Sequence, residues 1–208
     1  MLPADAASRY QAWLVDLDGT LYRPMPVKLA MAAELLLFGW GSIATLRTFR
    51  QAHEELRQLS QGATLETTPF ERQLELAARK LGSETTVVER HVNEWMFERP
   101  LKWVARAKRQ GLLTALADYR ASGGKTALVS DYPATAKLRA LDAHTLFDTV
   151  VSNGEPGGPR RLKPDPEGYL AAAERLGIAP QHCLVIGDRD DADGQAARNA
   201  GMAVAIIH

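Results

Sequence analysis

Asp16 and Asp18 are the residues of this chain best placed to do chemistry. They flank Leu17 at the end of the apolar run Ala12–Val15 and are followed by Gly19-Thr20, a turn signal. Such a run reads as a buried parallel strand, and ligands of open α/β sheets sit beyond the carboxyl ends of such strands. Two acids held there cost desolvation and mutual repulsion unless a cation or a reaction uses them. Three further segments end in polar groups. They are Leu128-Val129-Ser130-Asp131, Arg161-Leu162-Lys163-Pro164-Asp165-Pro166 and Val185-Ile186-Gly187-Asp188, which continues Arg189-Asp190-Asp191-Ala192-Asp193-Gly194. Taken singly, Ser130 is a turn residue or helix cap, Lys163 a surface lysine and the acids a solvated loop. Taken together, in this order and at these strand ends, they converge on one pocket.

The chemistry of that pocket follows from charge. Asp16, Asp18 and Asp188 around one point demand a hard cation with oxygen ligands, and Mg2+ suits them because it keeps several waters and binds with substrate phosphate. Zinc is not suggested, since the five histidines are scattered and there is one cysteine. The Ser130 hydroxyl and the Lys163 ammonium suit the oxygens of a transferring phosphoryl group. A carboxylate nucleophile can form an aspartyl-phosphate.

The elements that must position these residues alternate. After Leu112 to Ala121, a helix stopped at Ser122-Gly123-Gly124, come a strand (Thr126 to Val129), a helix (Ala134 to Leu141) and a short strand (Thr149 to Val151). A helix from Asp165 to Leu176, a strand from Cys183 to Ile186, a helix from Asp193 to Asn199 and a strand from Ala203 to Ile207 complete the series. The pattern predicts an α/β fold, a Rossmann-like doubly wound parallel sheet with helices on both faces. Met1 to Tyr10 reads as a loose lead-in. Between the first strand and Gly111 the signals are helical: Met31 to Phe38, Ser42 to Leu59, Pro69 to Leu81 and Thr85 to Phe97. A simple crossover needs far fewer residues. The expected organisation is a core of residues 1–22 and 111–208, with 23–110 inserted as an α-helical cap above the carboxyl end of the first strand.

Composition narrows the partners. The 208 residues carry no net charge, which offers no pull toward nucleic acid. The basic run Arg99, Lys102, Arg106, Lys108 and Arg109 reads as a solvated helix face or hinge. The single cysteine, Cys183, excludes an intramolecular disulfide and fits a reducing compartment, so a cytoplasmic location is expected. No signal peptide is visible. The most hydrophobic stretch, Val27 to Leu46, is interrupted by Lys28, Glu34, Gly39 and Gly41 and falls short of a membrane span. It reads as a cap helix or helix pair, with contact at a membrane surface as the lesser alternative. The sequence does not speak to oligomeric state.

The four polar segments resemble the four motifs of the haloacid dehalogenase (HAD) superfamily, in its order. Asp16-Leu17-Asp18-Gly19-Thr20 resembles the first motif, Ser130 the second, Lys163 the third, and Gly187-Asp188 with Asp193 the fourth. The helical insertion resembles, by position and helical content, the cap that part of the superfamily carries after its first motif. The resemblance implies a phosphatase in which Asp16 is the nucleophile and Asp18 the general acid and then base. It implies that Ser130, with Asp131 beside it, and Lys163 bind the phosphoryl group. Mg2+ would sit on the Asp16 carboxylate, the Asp18 carbonyl and Asp188, with Asp193 orienting this shell. The acidic loop leaves a choice, because Asp190 and Asp191 are also available; a spacing of five favours Asp193, and a spacing of four gives Ala192. Asp18 argues against a dehalogenase, which needs no metal. A phosphomutase uses the same acids, and a binding protein on the same fold is the alternative outside catalysis. A small phosphorylated metabolite is the expected substrate, since a helical lid excludes large ones. Arg23, Lys28, Arg47, Arg50, His53, Arg72 and Trp95 are candidates to line the cap's side of the pocket, and each is equally an ordinary surface or packing residue.

Overall fold

The computed structural model describes residues 6–59 and 67–208. Five strands form one parallel sheet: β1 (Ala12–Val15), β2 (Lys125–Ser130), β3 (Thr149–Ser152), β4 (Cys183–Gly187) and β5 (Ala203–Ile206), in the order β3-β2-β1-β4-β5. Alternation along β1 builds both faces of the core. Trp13 and Val15 join one apolar cluster with Leu113 and Leu116, while Ala12 and Leu14 join another with Tyr169 and Ala172. The sheet is therefore doubly wound, as its sequence predicts. β1 is central, and all four of its residues are buried.

The helices are α1 (Ala6–Arg9), α2 (Pro24–Phe38), α3 (Ile43–Leu59), α4 (Pro69–Leu81), α5 (Thr85–Val92), α6 (Leu101–Arg106), α7 (Gln110–Ala121), α8 (Thr135–Ala140), α9 (Glu167–Leu176) and α10 (Gln195–Asn199). α7 and α8 cover one face of the sheet, and α9 and α10 the other. The lead-in expected to be loose contains α1. α2 begins at Pro24, well before Met31, because proline is at home in a helix's first turn. α4 runs as its signals indicate. Thr68 and Glu71 form a reciprocal capping box, Pro69 opens the helix, and Gly82 closes it in the left-handed region at φ +62°. The helix expected over Thr85 to Phe97 ends as such at Val92 and continues to Glu98 as a more widely wound segment, Asn93–Glu98.

Between Pro24 and Arg106 the described elements are helices joined by short turns, and they hold an apolar cluster of their own, built on Phe49, Phe70, Leu74, Val92 and Trp95. The chain enters and leaves this region by one doorway. Tyr22 and Lys108 form an antiparallel bridge, the Arg23 N–H donates to the Ala107 carbonyl (2.9 Å), and the Arg109 N–H donates to the Leu21 carbonyl (2.9 Å).

Candidate active site

The carboxyl edge of the sheet brings Asp16, Lys163, Asp188 and Asp193 together. The parallel register of β1 with β2 and β4 sets Asp16 just past Val15, level with the ends of both neighbours, and its N–H donates to the Ile186 carbonyl at 2.9 Å. Lys163 reaches in from the loop before α9. Its ammonium lies 2.5 Å from Asp16 Oδ1 and 2.8 Å from Asp193 Oδ1, and donates to the Val129 carbonyl at 3.1 Å. The Thr20 hydroxyl donates to the other Asp16 oxygen (3.0 Å), and the Tyr169 hydroxyl donates to Asp193 Oδ1 (2.8 Å). Burial alone would lower the Lys163 ammonium, but the two aspartates hold it well above the ordinary lysine range, so it stays charged. Burial, reinforced by Asp193 and opposed by Lys163, pushes the Asp16 carboxyl well up.

One carboxylate oxygen from each of Asp16, Asp188 and Asp193 lies within 4.8 Å of the others. Among the described residues no other side chain hydrogen-bonds Asp188, whose carboxyl is raised by burial and then by Asp193. Three acids with a single lysine among them leave negative charge unbalanced, and an oxygen-seeking divalent cation fits that deficit. The turn after Asp18 is shaped to allow the approach. Gly19 stands at φ +98°, and a Cβ there would come within 2.0 Å of Asp188 Oδ2. In the acidic loop, Asp193 is the acid that points inward. It is 2% exposed and also accepts from the Arg189 N–H (3.2 Å), whereas Asp191 lies outside, paired with Arg189 and Arg57.

Asp18 belongs to a separate pair. Its carboxylate faces Lys137 on α8, at 2.5 and 2.8 Å, and accepts the Tyr22 hydroxyl at 2.5 Å. Burial works against its charge, yet Lys137 and Tyr22 overcome it and hold Asp18 below the usual aspartate value. Ser130 ends β2 buried, its Oγ accepting the Tyr132 N–H at 3.2 Å. Asp131 accepts the Lys163 N–H at 3.2 Å and so braces the lysine's loop.

Several residues of this neighbourhood carry no signal in the sequence. Buried Arg57, on α3, donates to the Lys163 carbonyl at 2.9 Å and links the helical region to the phosphate-binding candidate. Asn153 after β3 accepts the Phe70 N–H (3.1 Å) and donates to the Asp131 carbonyl (3.2 Å). Lys137 and Tyr169 are likewise brought to the site only by the fold. Of the candidates named for the cap, His53 stacks on Tyr132 (4.7 Å between centroids) and contacts Gln73, its imidazole lowered by burial. Arg72 pairs with Glu75 at the surface. Lys28, Arg47, Arg50 and Trp95 line a groove between α2 and α3, and Arg23 is exposed.

Comparison with known proteins gives the family. A profile of the haloacid dehalogenase-like hydrolases matches residues 10–201, and the chain belongs to that family. A glyceraldehyde 3-phosphate phosphatase of Methanopyrus kandleri is 29% identical over 202 residues, covering 92% of this chain and 81% of the relative. A phosphoglycolate phosphatase of Nitrosospira multiformis is 32% identical over 202 residues, covering 93% and 81%. In fold, the L-2-haloacid dehalogenase of Xanthobacter autotrophicus superposes with a TM-score of 0.66 at 21% identity, over 95% of this chain and 77% of that one. A HAD phosphatase from Thermococcus onnurineus gives 0.59 at 20% identity, over 95% and 86%.

Proposed function

We propose that this hydrolase is a Mg2+-dependent phosphatase of a small phosphorylated metabolite, working through an aspartyl-phosphate on Asp16. The observation that carries the reading is the Lys163 ammonium held between Asp16 and Asp193 with Asp188 beside them: a nucleophile, a cation for phosphoryl oxygens and a vacancy of charge that a divalent ion fills. The relatives named for glyceraldehyde 3-phosphate and phosphoglycolate support it, both being small phosphate esters. The cation would be held by the Asp16, Asp188 and Asp193 carboxylates and the Asp18 carbonyl, and would offset charge on the phosphoryl oxygens.

An Asp16 oxygen attacks phosphorus, and the bond from phosphorus to the ester oxygen breaks. Protonated Asp18 gives its proton to that leaving oxygen. A water then attacks the phosphorus of the aspartyl-phosphate, Asp18 takes the water's proton, and the bond between phosphorus and Asp16 breaks to release phosphate. Lys163 and Ser130 hold the phosphoryl oxygens in both halves. Lys137 and Tyr22 position Asp18 and favour its charged form, the one needed as base, while the negative charge of a phosphate ester bound beside it opposes them and favours the protonated form needed as acid.

The test is phosphate release from a panel of small phosphate esters with Mg2+. Asp16→Asn is expected to lower kcat by about a thousandfold or more with an unchanged circular dichroism spectrum. EDTA is expected to remove activity and Mg2+ to restore it. Near-normal turnover in the variant overturns the covalent route, and turnover indifferent to EDTA overturns the cation.

A further inference from the structure

The large apolar side chains on the surface of this protein are gathered in one place. Met25, Leu29, Leu36, Leu37, Phe38 and Trp40 are between 54% and 72% exposed, and only Leu170 joins them elsewhere among the described residues. Met25, Leu29, Ala32, Ala33 and Leu36 recur at three- and four-residue spacing, so they form one exposed stripe of α2. The stripe ends at a corner, where the helix that follows turns away by 111°. That corner is built rather than loose. Gly39 donates to Leu35 (2.9 Å), Ser42 donates to Gly39 (2.8 Å), the Ser42 hydroxyl meets His91 at 2.6 Å, and Trp95 packs so close to Gly39 that a Cβ would fall 2.5 Å from its ring. Leu37, Phe38 and Trp40 therefore project from a fixed wedge.

Charge decides what this wedge meets. From Arg23 to Arg50 four basic residues stand against one acid, Glu34, in a chain with no net charge. Glu34 is 14% exposed and is held by Lys102 at 2.8 Å and Arg99 at 3.6 Å. Beside the stripe runs the groove between α2 and α3, about 590 Å³, floored by Met31, Leu35, Leu46 and Trp95. Lys28, Arg47 and Arg50 stand on its rim, and among the described residues none of the three makes an ion pair; its one acid, Glu54, is paired with Arg57 at 3.1 Å. A second copy of the chain docked here about a two-fold axis would set these cations against their own kind. No single helix among the described residues is long and apolar enough to cross a bilayer, but a helix lying in the interface needs only this combination of an apolar face and a basic flank.

We propose that the α2–α3 corner docks on an anionic lipid bilayer, with Leu37, Phe38 and Trp40 inserted among the acyl chains and Lys28, Arg47 and Arg50 against lipid phosphates. The hydropathy pattern hid this because Lys28 and Glu34 interrupt the apolar run; the fold sends Glu34 inward and leaves the apolar residues outside. The docking is independent of turnover, and the two can fail separately.

The test is flotation of the full chain with mixed phosphatidylcholine–phosphatidylglycerol vesicles and with phosphatidylcholine vesicles alone. The chain is expected to float with the mixed vesicles about tenfold more than with the neutral ones, and to be released by high salt. Phe38→Ser with Trp40→Ser, and separately Lys28→Gln with Arg47→Gln and Arg50→Gln, are each expected to cut the mixed-vesicle fraction about tenfold while the melting temperature holds. Equal flotation with both vesicles, flotation with neither, or wild-type flotation of either stable variant overturns the proposal. So does a dimer in sedimentation equilibrium that Phe38→Ser with Trp40→Ser splits and that does not float, which would give the face to a second copy.

Discussion

Two lysines divide the two aspartates of the first turn between them. Lys163 takes Asp16, and Lys137 takes Asp18. The division keeps two aspartates, proposed as nucleophile and as acid–base group, from acting as a single repelling pair. In the proposed mechanism Lys137 touches no reacting atom and positions Asp18. Lys137→Met is expected to lower kcat by about tenfold or more and leave KM nearly unchanged, with Lys137→Arg recovering part of the loss. Steady-state kinetics on the preferred ester reads both, and an unchanged kcat in the methionine variant removes Lys137 from the mechanism. Asp16, Asp18, Lys163 and Asp188 were legible because each sits next to a strand end or a turn written in local residue types. Lys137 and Arg57 were not, because their partners lie 119 and 106 residues away and only the folded chain introduces them. A spacing of five favours Asp193, and burial, which spacing does not carry, turns it inward while Asp191 stays outside.

At the scale of elements, legibility follows how many local signals agree. α4 has a capping threonine, a proline, a glutamate in its first turn and a left-handed glycine at its end, and its bounds match the sequence reading at both ends. Thr68→Ala breaks the capping box, so it is expected to cost about 1 kcal/mol in urea unfolding. A loss near zero would show that Glu71 and Pro69 suffice. The wider winding of Asn93–Glu98 and of Asp190–Gly194 has no such marks. In Asn93–Glu98 the apolar Trp95, Met96 and Phe97 read as a continuation of the helix before it, and Asp190–Gly194 reads as an acidic loop. α6 has few marks of its own: the basic run around it reads as a solvated helix face or hinge, whereas Arg99, just before the helix, stacks on Trp95 (4.3 Å) and Arg106, within it, on Trp103 (5.0 Å).

For the molecule as a whole, the sheet's far edge holds a pH-sensitive tie. Asp148 accepts the Thr126 N–H at 2.9 Å and pairs with Arg120 at 2.8 Å. Burial opposes its charge, but these partners prevail and keep its carboxyl below the ordinary value of 3.8. A depressed carboxyl stabilises the fold above 3.8 and loses that contribution as pH falls through its folded value. Asp148→Asn is therefore expected to be less stable than the parent at neutral pH, with the gap closing in acid. Urea midpoints across the acid range measure it, and a gap that ignores pH dissociates Asp148 from the effect. The doorway at Tyr22 and Lys108 has a further meaning. A chain that leaves a sheet and returns beside its own point of departure adds a helical unit without disturbing a single strand pairing. Such a unit can be lengthened, shortened or exchanged for another over generations while Asp16 at the sheet's edge keeps its place, so kin can share one sheet and differ in the helices beside it.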